Sequence, residues 1–276
     1  MIVAQQLNEQ ADSFKPEFII SVGDNFYDPD GVTGLDDPQW GDKWNKVYNN
    51  YENIKNLDWY GVLGNHDWNG PGLEYQFQYN KNGWKIEDYF WNHKKTFGNK
   101  EVAFVHIDTN YLEYGKQGQT QLMGERFKQL GWEKDKMILN LIEQQLQKVQ
   151  TSDWIIVVGH HYTSYTCQIE RNIDKIIDLF QKYKVDAYLS GHKHVLAFNY
   201  KNDIGYIMSG AGAINKSSKK CQDSNPIYLN GDVLGFYGIQ ISDNILDIYS
   251  YYTKVDKEKY SWKNKNIGQV KNRQKL

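Results

Sequence analysis

The sequence predicts an α/β fold whose largely parallel sheet carries its chemistry at the carboxyl ends of the strands. Three observations point there. Short apolar runs alternate with stretches of helical period. The runs end in Gly followed by Asp, Asn or His, as at Gly23-Asp24, Gly64-Asn65, Gly159-His160 and Gly191-His192. Residues 195–210 and 233–253 alternate at period two, as antiparallel strands of a second, mixed sheet do.

Taken in order, residues 1–14 carry Val3, Leu7, Ala11 and Phe14 at helical spacing. Phe18-Ile19-Ile20 is the centre of a buried strand over 17–22, and Trp40, Trp44, Val47, Tyr48 and Tyr51 mark a helix within 38–51. Strands follow at 59–63 and, after a polar stretch rich in Tyr and Trp, at 102–108. The helix over 136–149 presents Ile138, Leu141, Ile142, Leu146 and Val149, and leads into a strand over 154–158. A helix over 173–183 and a strand over 185–189 complete the alternation. The single domain spans residues 1–253. The Lys- and Asn-rich remainder, 254–276, reads as a solvated, partly frayed tail.

Of the 276 residues, 40% are hydrophobic and 15% aromatic, enough for a large core. The 32 basic and 34 acidic residues leave a net charge of -2, without the basic excess expected of a nucleic-acid or membrane-surface protein. No apolar run reaches the ~18 residues of a membrane span. The start, Met1-Ile2-Val3-Ala4-Gln5-Gln6, lacks the features of a signal peptide. Cys167 and Cys221 permit one disulfide and leave the redox compartment open.

Four segments hold the residue types of a two-metal phosphoester hydrolase: Gly23-Asp24-Asn25-Phe26-Tyr27, Gly64-Asn65-His66-Asp67, Gly159-His160-His161 and Gly191-His192-Lys193-His194. A carboxylate has two accepting oxygens, so Asp24 can bridge two cations. Tyr27 is a ligand only toward an ion acidic enough to take a phenol of pKa about 10 as phenolate, which points to Fe(III). Asn65 offers a neutral amide oxygen, and His160, His192 and His194 offer imidazoles. With His192 and His194 two apart beyond a strand end, one can reach each metal. Two ions about 3.5–4 Å apart clamp a phosphoryl group and lower the pKa of a bound water. His93 and His106 lack a motif and read as structural.

These segments, with Ala187-Tyr188-Leu189-Ser190 before the last and Ser209-Gly210-Ala211-Gly212 after it, resemble the tartrate-resistant (purple) acid phosphatases of the small, animal-type class of calcineurin-like metallophosphoesterases. The resemblance runs from about residue 3 to residue 250, and Asp-Asn-Phe-Tyr is specific to the subfamily. It implies a four-layer αββα sandwich, with two mixed sheets between helices. It implies a dinuclear centre of Fe(III) with a divalent Fe, Zn or Mn. Asp24 would bridge, Tyr27 and His194 would bind Fe(III), and Asn65, His160 and His192 the divalent ion. His66 would contact the phosphate and help protonate the leaving group. The implied reaction is attack of a metal-activated hydroxide on a phosphomonoester or phosphoprotein. A monomer, secreted or held in a lysosome or vacuole, without nucleic-acid or membrane partners, is the implied setting.

The sequence departs from that pattern in three places. The family's first strand, ending in an Asp-x-Gly whose Asp binds Fe(III), has no counterpart before Asp24; Asp12 falls inside the first helix. The family's second His, some nine residues beyond its Gly-His, is missing, and His161 is the candidate to serve as catalytic residue instead. The family's disulfide cysteines do not match Cys167 and Cys221, whose pairing stays open. A phosphodiesterase is the second reading, disfavoured by Tyr27. A weakly active or non-catalytic phosphate-binding relative is the third.

Overall fold

The computed structural model describes residues 2–27, 29–168, 172–214, 216, 219–254 and 261–272. The chain opens with α1 (Ile2–Phe14), β1 (Phe18–Ser21), a wide π-helical turn at Trp40–Asn45 and α2 (Lys46–Tyr48). Next come β2 (Asp58–Gly61), α3 (Asn65–Asn69), α4 (Tyr75–Gln78), β3 (Trp84–Lys85), β4 (Phe90–Phe97) and β5 (Lys100–Ile107). The middle holds α5 (Asn110–Tyr114), α6 (Gln121–Gln129), α7 (Asp135–Val149), β6 (Trp154–Val158), α8 (Ile176–Lys182) and β7 (Ala187–Ser190). The end is all strand: β8 (Leu196–Lys201), β9 (Ile204–Ser209), β10 (Tyr228–Asn230), β11 (Val233–Ile241), β12 (Ile245–Lys254) and β13 (Lys263–Lys271).

The α/β class stands. The ladders form three sheets: a parallel one ordered β1-β2-β3, a mixed seven-stranded one ordered β10-β8-β9-β7-β6-β5-β4, and an antiparallel one ordered β11-β12-β13. Strand alternation explains the layering. Val102 and Phe104 of β5, with Trp154, Ile156 and Val158 of β6, point to one face. There they share a core with Phe18, Ile20, Leu246, Ile248 and Val270, so both smaller sheets lie on that side. Ala103, Val105, Ile155 and Val157 point to the other face, against Ile138, Ile142, Leu146 and Val149 of α7. Strands buried on both faces read as continuous apolar runs, which is why β6 was legible.

The expectation of a solvated tail is corrected. Lys263–Lys271 forms β13, paired antiparallel with β12. Ile267 and Val270 are buried while Lys263 to Asn266 are exposed. Two apolar residues suffice to seat an edge strand, and lysines along it guard the open edge. Residues 255–260 and 273–276 lie outside the described residues.

Within the small sheet, β1 has β2 as its ladder partner among the described residues. Its four residues are all partly exposed, as suits its place at the end of the sheet order. Beside it runs a cleft of about 760 Å³, lined by α1, Phe104, Ile156, Leu189, Ile207 and β11, which ends at Asp24, His192 and His194. Cys167 and Cys221 are joined by a disulfide, Cα atoms 4.0 Å apart, tying the loop after β6 to the chain after β9.

Candidate metal centre

Each expected ligand stands at a strand end, as a rigid metal site requires. Asp24 follows β1 in the left-handed region, φ 57°, and Gly23 before it has φ 89°. A Cβ on Gly23 would lie 2.7 Å from His160 Nδ1 and 2.8 Å from Gly64 N, and one on Gly64 would lie 2.2 Å from Asp24 Oδ1. The glycines therefore let two loops and a histidine meet at contact distance. His192 also has a left-handed backbone, φ 61°, the kind of strain that persists where the surroundings hold it.

The donors converge. His160 donates through Nδ1 to Val22 O at 2.7 Å, which turns Nε2 inward. That Nε2 lies 3.2 Å from Asn65 Oδ1, 3.2 Å from His192 Nδ1 and 3.3 Å from Asp24 Oδ2. Asn65 Oδ1 is 3.0 Å from His192 Nδ1. Tyr27 donates its hydroxyl to Asp24 Oδ2 at 2.7 Å, and the His66 backbone N–H donates to Asp24 Oδ1 at 3.0 Å. Burial alone would raise the Asp24 carboxyl, but the charge of His160 and the hydrogen bonds from His160, His66 and Tyr27 hold it well below the carboxylate range. Burial and then the Asp24 charge push the Tyr27 phenol far up. Phenolate at that position requires a cation.

His194 lines the same end of the cleft, half-buried, and its Nδ1 has no hydrogen-bond partner. His66 packs against Tyr27 with the rings tilted, centroids 4.2 Å apart, and pairs through Nδ1 with Asp30 Oδ1 at 2.6 Å. Its side chain is about one-third exposed.

His161 does not face the opening. It is 1% exposed, its Nδ1 is 2.8 Å from Thr109 Oγ1, and its ring packs 4.6 Å from that of His192. Burial holds its imidazole well below the ordinary value. The expectation of a catalytic His161 is corrected to that extent: its ring is buried beside His192 instead of standing exposed at the site. Its unpartnered Nε2 joins a group in which one nitrogen each of His160, His161 and His192 lies within 4.8 Å of the others. His93 and His106 are structural. They stack with Tyr60, Trp91 and Phe104, Nε2 of His106 lying 3.3 Å from Nδ1 of His93.

Sequence reasoning missed the residues that hold the ligands. Asp67, fully buried, accepts from the backbone N–H groups of Asn25 at 3.1 Å and Gly64 at 2.8 Å and from Gln76 at 2.9 Å, binding the Asp24 loop to the Asn65 loop. Burial and the Asp24 charge raise its carboxyl to about 6. It stood inside a quoted motif without a role. Asp30 carried no signal at all.

The sequence profile described as calcineurin-like phosphoesterase matches residues 3–196. This chain belongs to that family. It is similar to purple acid phosphatase 7 of Arabidopsis thaliana, 29% identical over 227 residues that make up 77% of this chain and 65% of that protein. Against tartrate-resistant acid phosphatase type 5 of Oryctolagus cuniculus the identity is 29% over 266 residues, 94% of this chain and 78% of that one. A solved structure described as GAP50, the anchor in the inner membrane complex of Plasmodium, shares the fold with a TM-score of 0.72 at 24% identity, covering 96% of this chain and 83% of that chain.

Calcineurin-like phosphoesterases are hydrolases that work through bound metal ions. The donor set fits a divalent cation on one side: three lone-pair-bearing atoms of Asn65, His160 and His192 and the Asp24 carboxylate crowd together with few protons to share. On the other side stand Asp24, Tyr27 and His194, with the Tyr27 hydroxyl donating to Asp24 Oδ2.

Proposed function

We propose that this chain is an acid phosphatase that hydrolyses phosphate monoesters at a centre of Fe(III) and a divalent Fe, Zn or Mn. The observation that carries the reading is the convergence of Asp24, Asn65, His160 and His192 in a buried cup, with the Tyr27 hydroxyl on the shared carboxylate. Asp24, Asn65, His160 and His192 would hold the divalent ion; Asp24, Tyr27 and His194 would hold the ferric one. When bound, the pair supplies Lewis-acid charge and a nucleophile for in-line displacement. The rest is the work of the chain's own side chains. Asp67 fixes the two loops so that the ligands do not spread. His66, held through Nδ1 by Asp30, keeps Nε2 as the nitrogen that gives a proton to the leaving oxygen. The disulfide supports an oxidising setting, secreted or lysosomal.

A second reading, a weakly active or phosphate-binding relative, is favoured by the lack of an Asp-x-Gly segment ahead of Asp24 in this sequence. One comparison separates the readings. The metal-loaded protein is assayed on p-nitrophenyl phosphate and on bis-p-nitrophenyl phosphate, beside Asp24→Asn. Asn tolerates the left-handed backbone that Asp24 occupies, so the fold should persist while both metals and nearly all turnover are lost. Wild-type-like turnover by Asp24→Asn rejects the bridging role. Faster diester than monoester hydrolysis favours a phosphodiesterase, and phosphate binding without turnover favours the second reading.

A further inference from the structure

The amide of Asn65 has two ends of nearly equal shape, and only one of them is a metal ligand. When the imidazoles give up their inward protons to bind a cation, the Asn65 NH2 would find acceptors as readily as its oxygen would find the cation. Something must decide which end faces His160 and His192. Asn65 Nδ2 donates to Gln119 Oε1 at 2.9 Å, which leaves Oδ1 facing the two histidines. Gln119 is itself an amide, so its own orientation needs a cause. Its Oε1 also accepts from Asn69 Nδ2 at 3.0 Å. Asn69 Oδ1 in turn accepts from the Thr120 hydroxyl at 3.0 Å. The Thr120 oxygen accepts from the Met123 backbone N–H at 3.2 Å, as the N-cap of α6. The backbone N–H occupies one lone pair of the hydroxyl, and with the hydroxyl proton given to Asn69 Oδ1 the Asn69 NH2 is turned toward Gln119, whose Oε1 then accepts from both asparagines.

We propose that Gln119, oriented by Thr120 and Asn69, is a positioning residue that keeps the carbonyl end of Asn65 turned toward the divalent-metal site. The supporting platform is built to be stiff. Arg126 of α6, 7% exposed, donates to Trp68 O at 2.8 Å, Gly70 O at 2.6 Å and Pro71 O at 2.7 Å, locking α6 to the end of α3. Gly118, φ 68°, lets the loop before Gln119 lie on α6, where a Cβ would come 2.6 Å from Gly124 N. The inference rests on the reading of the cup as a metal site, and it concerns residues that touch neither metal nor substrate.

The test is zinc affinity of the full chain, measured by titration calorimetry, with the melting temperature of the metal-free protein as control. Gln119→Leu keeps the size and removes the acceptor. It should weaken zinc binding about 10–100-fold, the usual cost of losing a group that orients a ligand, with little change in metal-free melting. Gln119→Glu, which accepts from Asn65 and Asn69 alike, should recover most of the affinity. Thr120→Val should weaken binding and Thr120→Ser should not. Unchanged zinc affinity in Gln119→Leu overturns the role of Gln119 alone, as does an equal loss in Gln119→Glu. A wild-type chain that takes up no zinc instead overturns the metal-site reading, and this inference with it.

Discussion

Two residues report on the site and one on the scaffold. His66 packs against Tyr27, and Asp30 holds its Nδ1. Loss of a general acid costs typically about 10² to 10⁴-fold. His66→Ala should therefore lower turnover by that order with metal content retained, and Asp30→Ala should give a smaller loss in the same direction. Stoichiometric loss of one ion from His66→Ala would make it a ligand instead. His93 tests the scaffold. Burial, then Lys95, lowers its imidazole to about 4. Between pH 6.5 and about 4 the unfolded chain binds a proton that the folded chain refuses, so stability falls as pH falls. Asp67 and Asp108, their carboxyls raised to about 6 and about 7 by burial, act in the opposite sense, so the comparison must be with a variant. His93→Phe keeps the stack on Tyr60 and Phe104 and should lose about 2 kcal/mol less than wild type between pH 7 and pH 4.5 in urea unfolding. Equal losses would show that His93 does not resist protonation.

At the scale of elements, what could be read depended on whether the signal was local. The strands ahead of Asp24, Asn65, His160 and His192 are apolar runs ended by glycine, and each was legible. β4 was not: Phe90 and Trp91 are buried, but the following Asn92 to Lys95 are polar on an edge strand. α6 was missed because five of its nine residues are exposed and only Met123, Arg126 and Phe127 are fully inward. Gln119 meets Asn65 across 54 positions, a proximity that no local pattern carries. β13 was misread because lysine and asparagine outnumber the two residues that seat it. Its weight in the fold is measurable. Val270 is fully buried, and its methyl lies 2.3 Å from where a Cβ on Gly205 would be. Val270→Ala should cost about 2 kcal/mol from lost burial and the gap left behind. A cost under about 0.5 kcal/mol, the level of a surface change, would mean that the strand is frayed after all.

At the scale of the molecule, the two halves of the proposed metal centre are unequally built. Asp24, Asn65, His160 and His192 are packed from four strand ends, whereas Tyr27 and His194 share one carboxylate beside an apolar cleft of about 760 Å³. A highly charged, hard ion loses most when an anionic oxygen ligand is missing. The chain should hold zinc more firmly than iron, and any iron it holds should be marked by Tyr27, whose proton only a strong cation displaces. The most direct test is the visible absorption spectrum of the chain loaded with Fe(III) and Zn(II), read against its metal content and beside Tyr27→Phe. The account predicts stoichiometric zinc, less iron, and a visible band in proportion to the iron that Tyr27→Phe abolishes without unfolding the protein. An iron-loaded Tyr27→Phe protein with the same band would contradict it.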